Sequence, residues 1–288
     1  MANSIWNKKQ SLWELFCYVV ILSSTIGVFS LAVYMLGYIV YRGLPGLSLA
    51  FLTQAPNPIT ESIGIFPSII NTLYVIVLTL FLALPSGIGA AIYLSEYAKN
   101  QRLIQLIEFN IETLSGIPSI IYGVFGYLFF CLAWNLRVSL LSGALTLSIM
   151  VLPIIIRTTQ VALRFVPQGY KEASLGLGAD KWYMIRTILL PSSLPGIITA
   201  TILSMGRIVS ESAALLLVAG GSAMYGPKGF FQQITNSGST LAVELYRYAY
   251  SRGNTEVAFS IGLVLLIMVL LLIVVTKIIK HRLGKEEA

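Results

Sequence analysis

Arg207 and Glu211 stand four residues apart in a stretch that is otherwise small and apolar, Gly206-Arg-Ile-Val-Ser-Glu-Ser-Ala-Ala-Leu215. Four residues make about one helical turn, so the spacing predicts two charges on one face. Gly196, Ala200 and Ser204 lead into them along the same line. Small residues let helices approach closely in a bilayer, so the stripe is expected to face the bundle interior or a pathway rather than lipid. An Arg at mid-bilayer costs roughly 2.5–3.5 kcal/mol even on a translocon-derived scale. Two roles fit a residue kept at that cost. One is a self-satisfied ion pair that locks helices together. The other is contact with a passing anion, because a guanidinium is a planar fork that matches tetrahedral oxyanions and stays charged at cellular pH. In that role Glu211 would hold Arg207 between ligands and accept a hydrogen bond from a protonated oxyanion oxygen.

A second candidate lies in the stretch from Gln168 to Pro195, QGYKEASLGLGADKWYMIRTILLPSSLP. Lys171 to Leu177 is expected to form two short helical turns, ended by Gly178, with Asp180 capping the next helix. Trp182, Ile185 and Leu189 then fall on one apolar stripe, with Lys181 and Arg186 toward the headgroups. Pro191 and Pro195 are expected to break the helix. The segment is either an interfacial amphipathic loop or a docking element for a soluble partner. In the docking case Ala173 and Ser174 allow close approach, and Glu172 offers a charged anchor.

Other chemistries find no residues. The nearest approach to a phosphate-cradling loop is Gly221-Ser-Ala-Met-Tyr-Gly-Pro-Lys228, where Pro227 replaces a backbone donor the cradle needs. His281 is the sole histidine and sits on a basic tail, so no nucleophile–base set exists. Cys17 and Cys131 lie far apart in apolar runs, which argues against a zinc site or a disulfide framework. No catalytic residue, cofactor site or metal site is therefore expected in this chain, and any ATP would be used by another chain.

The elements that must position Arg207, Glu211 and the loop follow from composition. Charged residues make up 11% of 288 residues, the hydrophobic share is 56% and the mean hydropathy is +0.82. Soluble domains carry about 25% charged residues, so a soluble enzyme and a disordered tail are both excluded. What remains is an all-α integral membrane protein. The runs Leu15–Tyr41, Ser62–Ser95, Thr113–Leu136, Val138–Ile156 and Val257–Thr276 hold no charge. Each can cross a hydrocarbon core of about 30 Å. A sixth span, Pro195 to Ala219, carries Arg207 and Glu211. The first span is too long for a signal-peptide core and is expected to be retained. Lys and Arg then partition thirteen to five between the two sides, with Arg207 inside a span. That bias places both termini in the cytoplasm, and the +7 net charge reports topology and attraction to membrane lipid rather than a nucleic-acid partner.

Smaller features complete the map. A tight outer turn is expected around Asn135 and Arg137, and a long outer segment from Gly220 to Glu256. Pro118 and Pro153 are expected to kink their helices. Arg157 reads as a snorkelling anchor, and Glu96, Glu108 and Glu112 as solvated or interfacial positions.

The loop also carries a resemblance. Glu172-Ala173-Ser174, then Gly178, then Ile188-Leu189-Leu190-Pro191 resembles the EAA signature of bacterial ABC-importer permeases, with Ser174 in place of the pattern's second Ala. The resemblance implies that this loop couples the permease to a separate cytoplasmic ATPase through Glu172, Ala173, Ser174 and Gly178. Gly116-IPSIIYGVF-Gly126, Val151-LPIIIRT-Thr159, the Arg207 segment and Ala90-AIYLSEY-Ala98 resemble the permeases of phosphate-specific (Pst) importers, of PstA type, within the MetI-like superfamily. This likeness implies six transmembrane helices in the type I ABC importer fold. It implies a cytoplasmic N-terminus, first helix and outer loop over 1–62, a permease domain over 63–280 and a basic tail over 281–288. It further implies inorganic phosphate as cargo, with a PstC-like second permease, a PstB-like ATPase dimer and a PstS-like extracytoplasmic binding protein as partners in a bacterial cell membrane. A permease for another oxyanion, a PstC-type subunit and a standalone ion-coupled transporter are the alternatives.

Overall fold

In hydrocarbon each backbone N–H and C=O must be satisfied within the protein, so long apolar runs become helices. A computed structural model describes residues 12–56, 63–221 and 230–283, and among the described residues there are helices and turns but no strand. Met1 to Ser11, the segment 222–229 with Tyr225, Pro227 and Lys228, and the last residues including Lys285 lie outside them.

The helices in chain order are α1 (Leu12–Gly43), α2 (Leu49–Thr53), α3 (Phe66–Ile92), α4 (Gln101–Gly116), α5 (Ser119–Gly126), α6 (Leu140–Arg164) and α7 (Gln168–Gly176). They continue with α8 (Lys181–Met184), α9 (Leu190–Ser210), α10 (Ala213–Val218), α11 (Phe230–Ile234), α12 (Leu241–Tyr246) and α13 (Thr255–Leu283). Wide π turns extend α3 to Tyr97, α5 to Ala133 and α12 to Ser251, and Ile185–Leu189 joins α8 to α9. Five helices are long and apolar enough to cross a membrane, and α4–α5 makes a sixth if that bent pair is one span.

Prolines at two places act differently from a simple kink or break. The bend expected at Pro118 is a full break of the third span, where α4 and α5 meet at 101°. Pro118 pushes Ile117 into extended backbone (ψ 130°), so the helix cannot pass through. Pro191 and Pro195, by contrast, do not break the fifth span, which runs from Lys181 to Ser210. The π turn at Ile185–Leu189 shifts the hydrogen-bond register just before Pro191, where an N–H is missing. α6 likewise passes through Pro153 without ending.

α3 and α6 form the spine. Thr79 Oγ1 donates to the Ala144 carbonyl, and Ser148 Oγ donates to the Thr79 carbonyl at 3.3 Å. Farther along, a Cβ on Gly87 would stand 2.6 Å from Ile155 Cγ2. Contacts that advance together along both chains make the pair parallel. α9 packs on α6 with Gly196 against Ala162, while Ala200 and Ser204 are fully buried. The stripe of small residues is thus a packing seam, as its composition implied.

The apolar core divides in two. The larger part holds Val75, Leu147, Val151, Leu215 and Ile261. A smaller cluster, with Ala91, Leu94, Leu163, Met184, Ile185 and Leu189, joins the end of α3 to the α8–α9 turn. α1 lies to one side against α13, where the Gly43 carbonyl accepts from Ser260 Oγ and Tyr38 meets Phe259 edge to face.

Asn135 and Arg137 both take positive φ in the expected tight turn. From Phe230 on, the described part of the long segment after Gly220 is tied into the bundle rather than forming a free outer loop. Asn71 accepts from Gln233 Nε2 and donates to the Ser239 carbonyl, and Thr72 Oγ1 accepts the Leu241 N–H. Leu241 and Val243 of α12 are fully buried. Gly220 (φ +85°) turns the chain where a Cβ would collide with Ser237 Oγ.

Candidate functional site

α9 ends at Ser210, and Glu211 takes extended backbone (ψ 119°). The two charges are therefore not one turn apart on a continuous helix. Glu211 is buried, and its carboxylate accepts the Ala214 N–H at 3.1 Å. It caps the first turn of α10, whose N–H groups have no helical partner. Among the described residues no ion pair joins Arg207 to Glu211 or to any other carboxylate. The self-satisfied pair is thus absent, because the helix stops between its two members.

Arg207 is exposed, on a face of α9 with Thr199, Leu203, Gly206 and Ser210. A Cβ on Gly206 would meet nothing within 4 Å, so this face is open. The Tyr122 hydroxyl donates to the Leu114 carbonyl at 2.7 Å, across the α4–α5 bend. Gly123 places α5 so close to α10 that a Cβ would be 2.8 Å from Ala214 Cα, and Gly126 does the same against Thr146 of α6. Two helices that each follow a break, α5 after Pro118 and α10 after Ser212, therefore pack against each other, and the exposed Arg207 stands four residues before Glu211 at the second break. Irregular backbone at membrane depth is tolerated where protein buries it or a cavity meets it.

The loop after α6 forms as its residues imply. α7 closes with the Ala179 N–H on the Ser174 carbonyl, Gly178 takes φ +86°, and Asp180 caps the Tyr183 N–H at 3.0 Å. Glu172, Ala173 and Gly178 are exposed, while Ser174 is buried. Ala173, Ser174, Gly178, Tyr183 and Thr187 line an open groove of about 920 Å³. The expected stripe of Trp182, Ile185 and Leu189 splits: Ile185 and Leu189 are fully buried with Met184, while Trp182 is exposed. Met184 of α8, not Trp182, completes the buried face that Ile185 and Leu189 continue through the π turn.

Several ion pairs were hidden by their distance in sequence. Glu96 accepts from Lys171 Nζ at 2.5 Å, and Lys181 Nζ donates to the Glu96 carbonyl and lies 4.9 Å from the Tyr97 ring centre. Arg157 pairs with Glu108 at 3.7 Å and Glu112 at 3.5 Å, and Arg164 with Glu108 at 3.4 Å. These positions tie α4 and the α7–α8 segment to the bundle rather than facing headgroups alone. No group of three or more metal-ligating side chains exists among the described residues.

Comparison with known proteins agrees with this architecture. Residues 83–286 match the family described as binding-protein-dependent transport system inner membrane component. The chain is 38% identical over 204 residues to the probable ABC transporter permease YqgI of Bacillus subtilis, covering 71% of this chain and 67% of that protein. It is 33% identical over 235 residues to the phosphate transport system permease PstA of Xylella fastidiosa, covering 81% of this chain and 80% of that one. In structure it matches a chain of a bacterial alginate ABC transporter with a TM-score of 0.70 at 15% identity, covering 94% of this chain and 96% of the other. A chain of the inward-facing MetNI methionine transporter matches with a TM-score of 0.61 at 21% identity, covering 76% and 97%.

Fold and site together define a transmembrane subunit of an ABC importer, and the chain belongs to the family of binding-protein-dependent transport permeases. The likeness to PstA-type permeases expected from its motifs is borne out.

Proposed function

We propose that this chain is the PstA-type half of an inorganic phosphate importer. The observation that carries this reading is Arg207: a fixed cation, exposed on an open face of α9 and paired with no carboxylate among the described residues. Phosphate at neutral pH carries one to two negative charges and loses hydration on entering a narrow path. Charge-assisted hydrogen bonds from a guanidinium replace that hydration, each worth about 1.5–3 kcal/mol. Glu211 supports the site by fixing the break after α9, which sets where Arg207 stands. The names of the PstA relatives support phosphate as the cargo.

In this reading the permease domain over 63–280 alternates between inward- and outward-facing states, with both termini in the cytoplasm. A PstC-like permease completes the pathway and a PstS-like protein delivers the anion outside. A PstB-like ATPase dimer seats on the segment Glu172–Gly178, whose exposed Glu172, Ala173 and Gly178 and adjoining groove suit a docking role. The test is a four-component proteoliposome with ATP inside and labelled phosphate outside. Uptake that survives excess sulfate is the expected result. Uptake of sulfate in place of phosphate, or ATP-independent uptake, would sink the reading.

A further inference from the structure

Two lysines bracket the segment to which the ATPase is assigned. Lys171 stands immediately before Glu172-Ala173-Ser174, and Lys181 immediately after the Gly178-Ala179-Asp180 turn. Both reach the same residue of another helix, Glu96, in the π turn that ends α3. Lys171 pairs with its carboxylate at 2.5 Å, and Lys181 takes its carbonyl. The pair is largely withdrawn from solvent, with side-chain exposures of 22% for Lys171 and 11% for Glu96. Beneath it Leu94 of the same π turn packs in one cluster with Met184, Ile185 and Leu189. The apolar contact gives adhesion, which is non-directional; the two lysines on one residue fix the register.

We propose that Glu96 is a positioning residue that clamps both ends of the coupling segment to α3. A displacement imposed on the loop by nucleotide binding then reaches α3 as well, and not only α6 and α9, the helices continuous with the loop at its two ends. This rests on the coupling role proposed above for Glu172–Gly178. The apolar cluster alone gives adhesion without direction, whereas the charged hydrogen bonds to Glu96 specify which residues meet.

The experiment uses the full importer in proteoliposomes and reads phosphate taken up per ATP hydrolysed, alongside co-purification of the ATPase. Cys17 and Cys131 are first replaced by Ala. Glu96→Gln is expected to retain the ATPase but lower uptake per ATP by about tenfold, the factor that loss of one charge-assisted hydrogen bond supplies. A second protein carries Glu96→Cys and Lys171→Cys, joined by a short, reducible thiol cross-linker. Coupling is expected with the link in place and lost when it is cleaved. If Glu96→Gln fails to insert, the cross-linked protein alone decides. Parental uptake per ATP in Glu96→Gln, or coupling indifferent to the cross-link, overturns the clamp. Gly178→Asp is measured beside them. Normal uptake in that variant would overturn the coupling role itself, which separates the two failures.

Discussion

The Glu211 carboxylate accepts the Ala214 N–H at 3.1 Å and is not the partner of Arg207, though the two sit four residues apart. A carboxylate that caps a helix and a guanidinium on an open face have separable effects on substitution.

Arg207→Gln should lower phosphate uptake by at least about tenfold with expression unchanged, since one charge-assisted bond of about 1.5 kcal/mol is already a factor of ten. Arg207→Lys keeps the charge but not the fork, so partial uptake should remain. The measurement is labelled phosphate uptake in cells lacking other phosphate importers. Parental uptake by Arg207→Gln would show that the anion does not meet this side chain.

Glu211→Gln retains an oxygen for the Ala214 N–H, whereas Glu211→Ala does not. The Ala variant should be less stable by about 0.5–2 kcal/mol, the usual worth of a cap, and the Gln variant closer to the parent. Thermal unfolding in detergent ranks the three proteins. Equal midpoints for Ala and Gln would remove the capping role.

Gly123→Val should disrupt the α5–α10 seam, because its Cβ would stand 2.8 Å from backbone that cannot rotate away. Overpacking of this kind costs about 1–3 kcal/mol. Gly89→Val is the control, since a Cβ there meets nothing within 4 Å. A melting comparison in which both variants match the parent would contradict the close approach.

Glu172→Lys and Gly178→Asp should leave the permease inserted and abolish ATP-driven uptake. At Gly178 the φ of +86° adds strain for any side chain, although the space around it is open. Pull-down of the ATPase with each variant reports the docking step directly. Full retention of both ATPase and uptake would assign the loop to the membrane surface instead.

Single cysteines at Gln101 and Leu177 should be labelled from the cytoplasm, and one at Ser251 from outside, all three being exposed. Labelling of Leu177 and Ser251 from one side would reverse part of the topology.

The spans were legible because hydrocarbon leaves a chain few options, and the loop because Gly178 and Asp180 punctuate it locally. What stayed hidden was phase and distance. Trp182, Ile185 and Leu189 look like one stripe, yet it is Met184 that is buried with Ile185 and Leu189 while Trp182 is exposed. Glu211 looks helical because nothing in Val209-Ser210-Glu211 announces an end, and only packing of α10 on Gly123 makes the break worthwhile. Glu96 and Lys171 are 75 residues apart, so no local pattern joins them.

The lateral seat of α1 on α13 has a consequence for biogenesis. Gly43 leaves the ribosome early, while Phe259, Ser260 and Leu263, against which it closes, come last. At about 5–20 residues per second the interval is on the order of ten to forty seconds. Through that time α1 must wait in the lipid as a lone hydrophobic rod, held only by its own backbone bonds. α1 and α13 can close on each other only once α13 itself has been made.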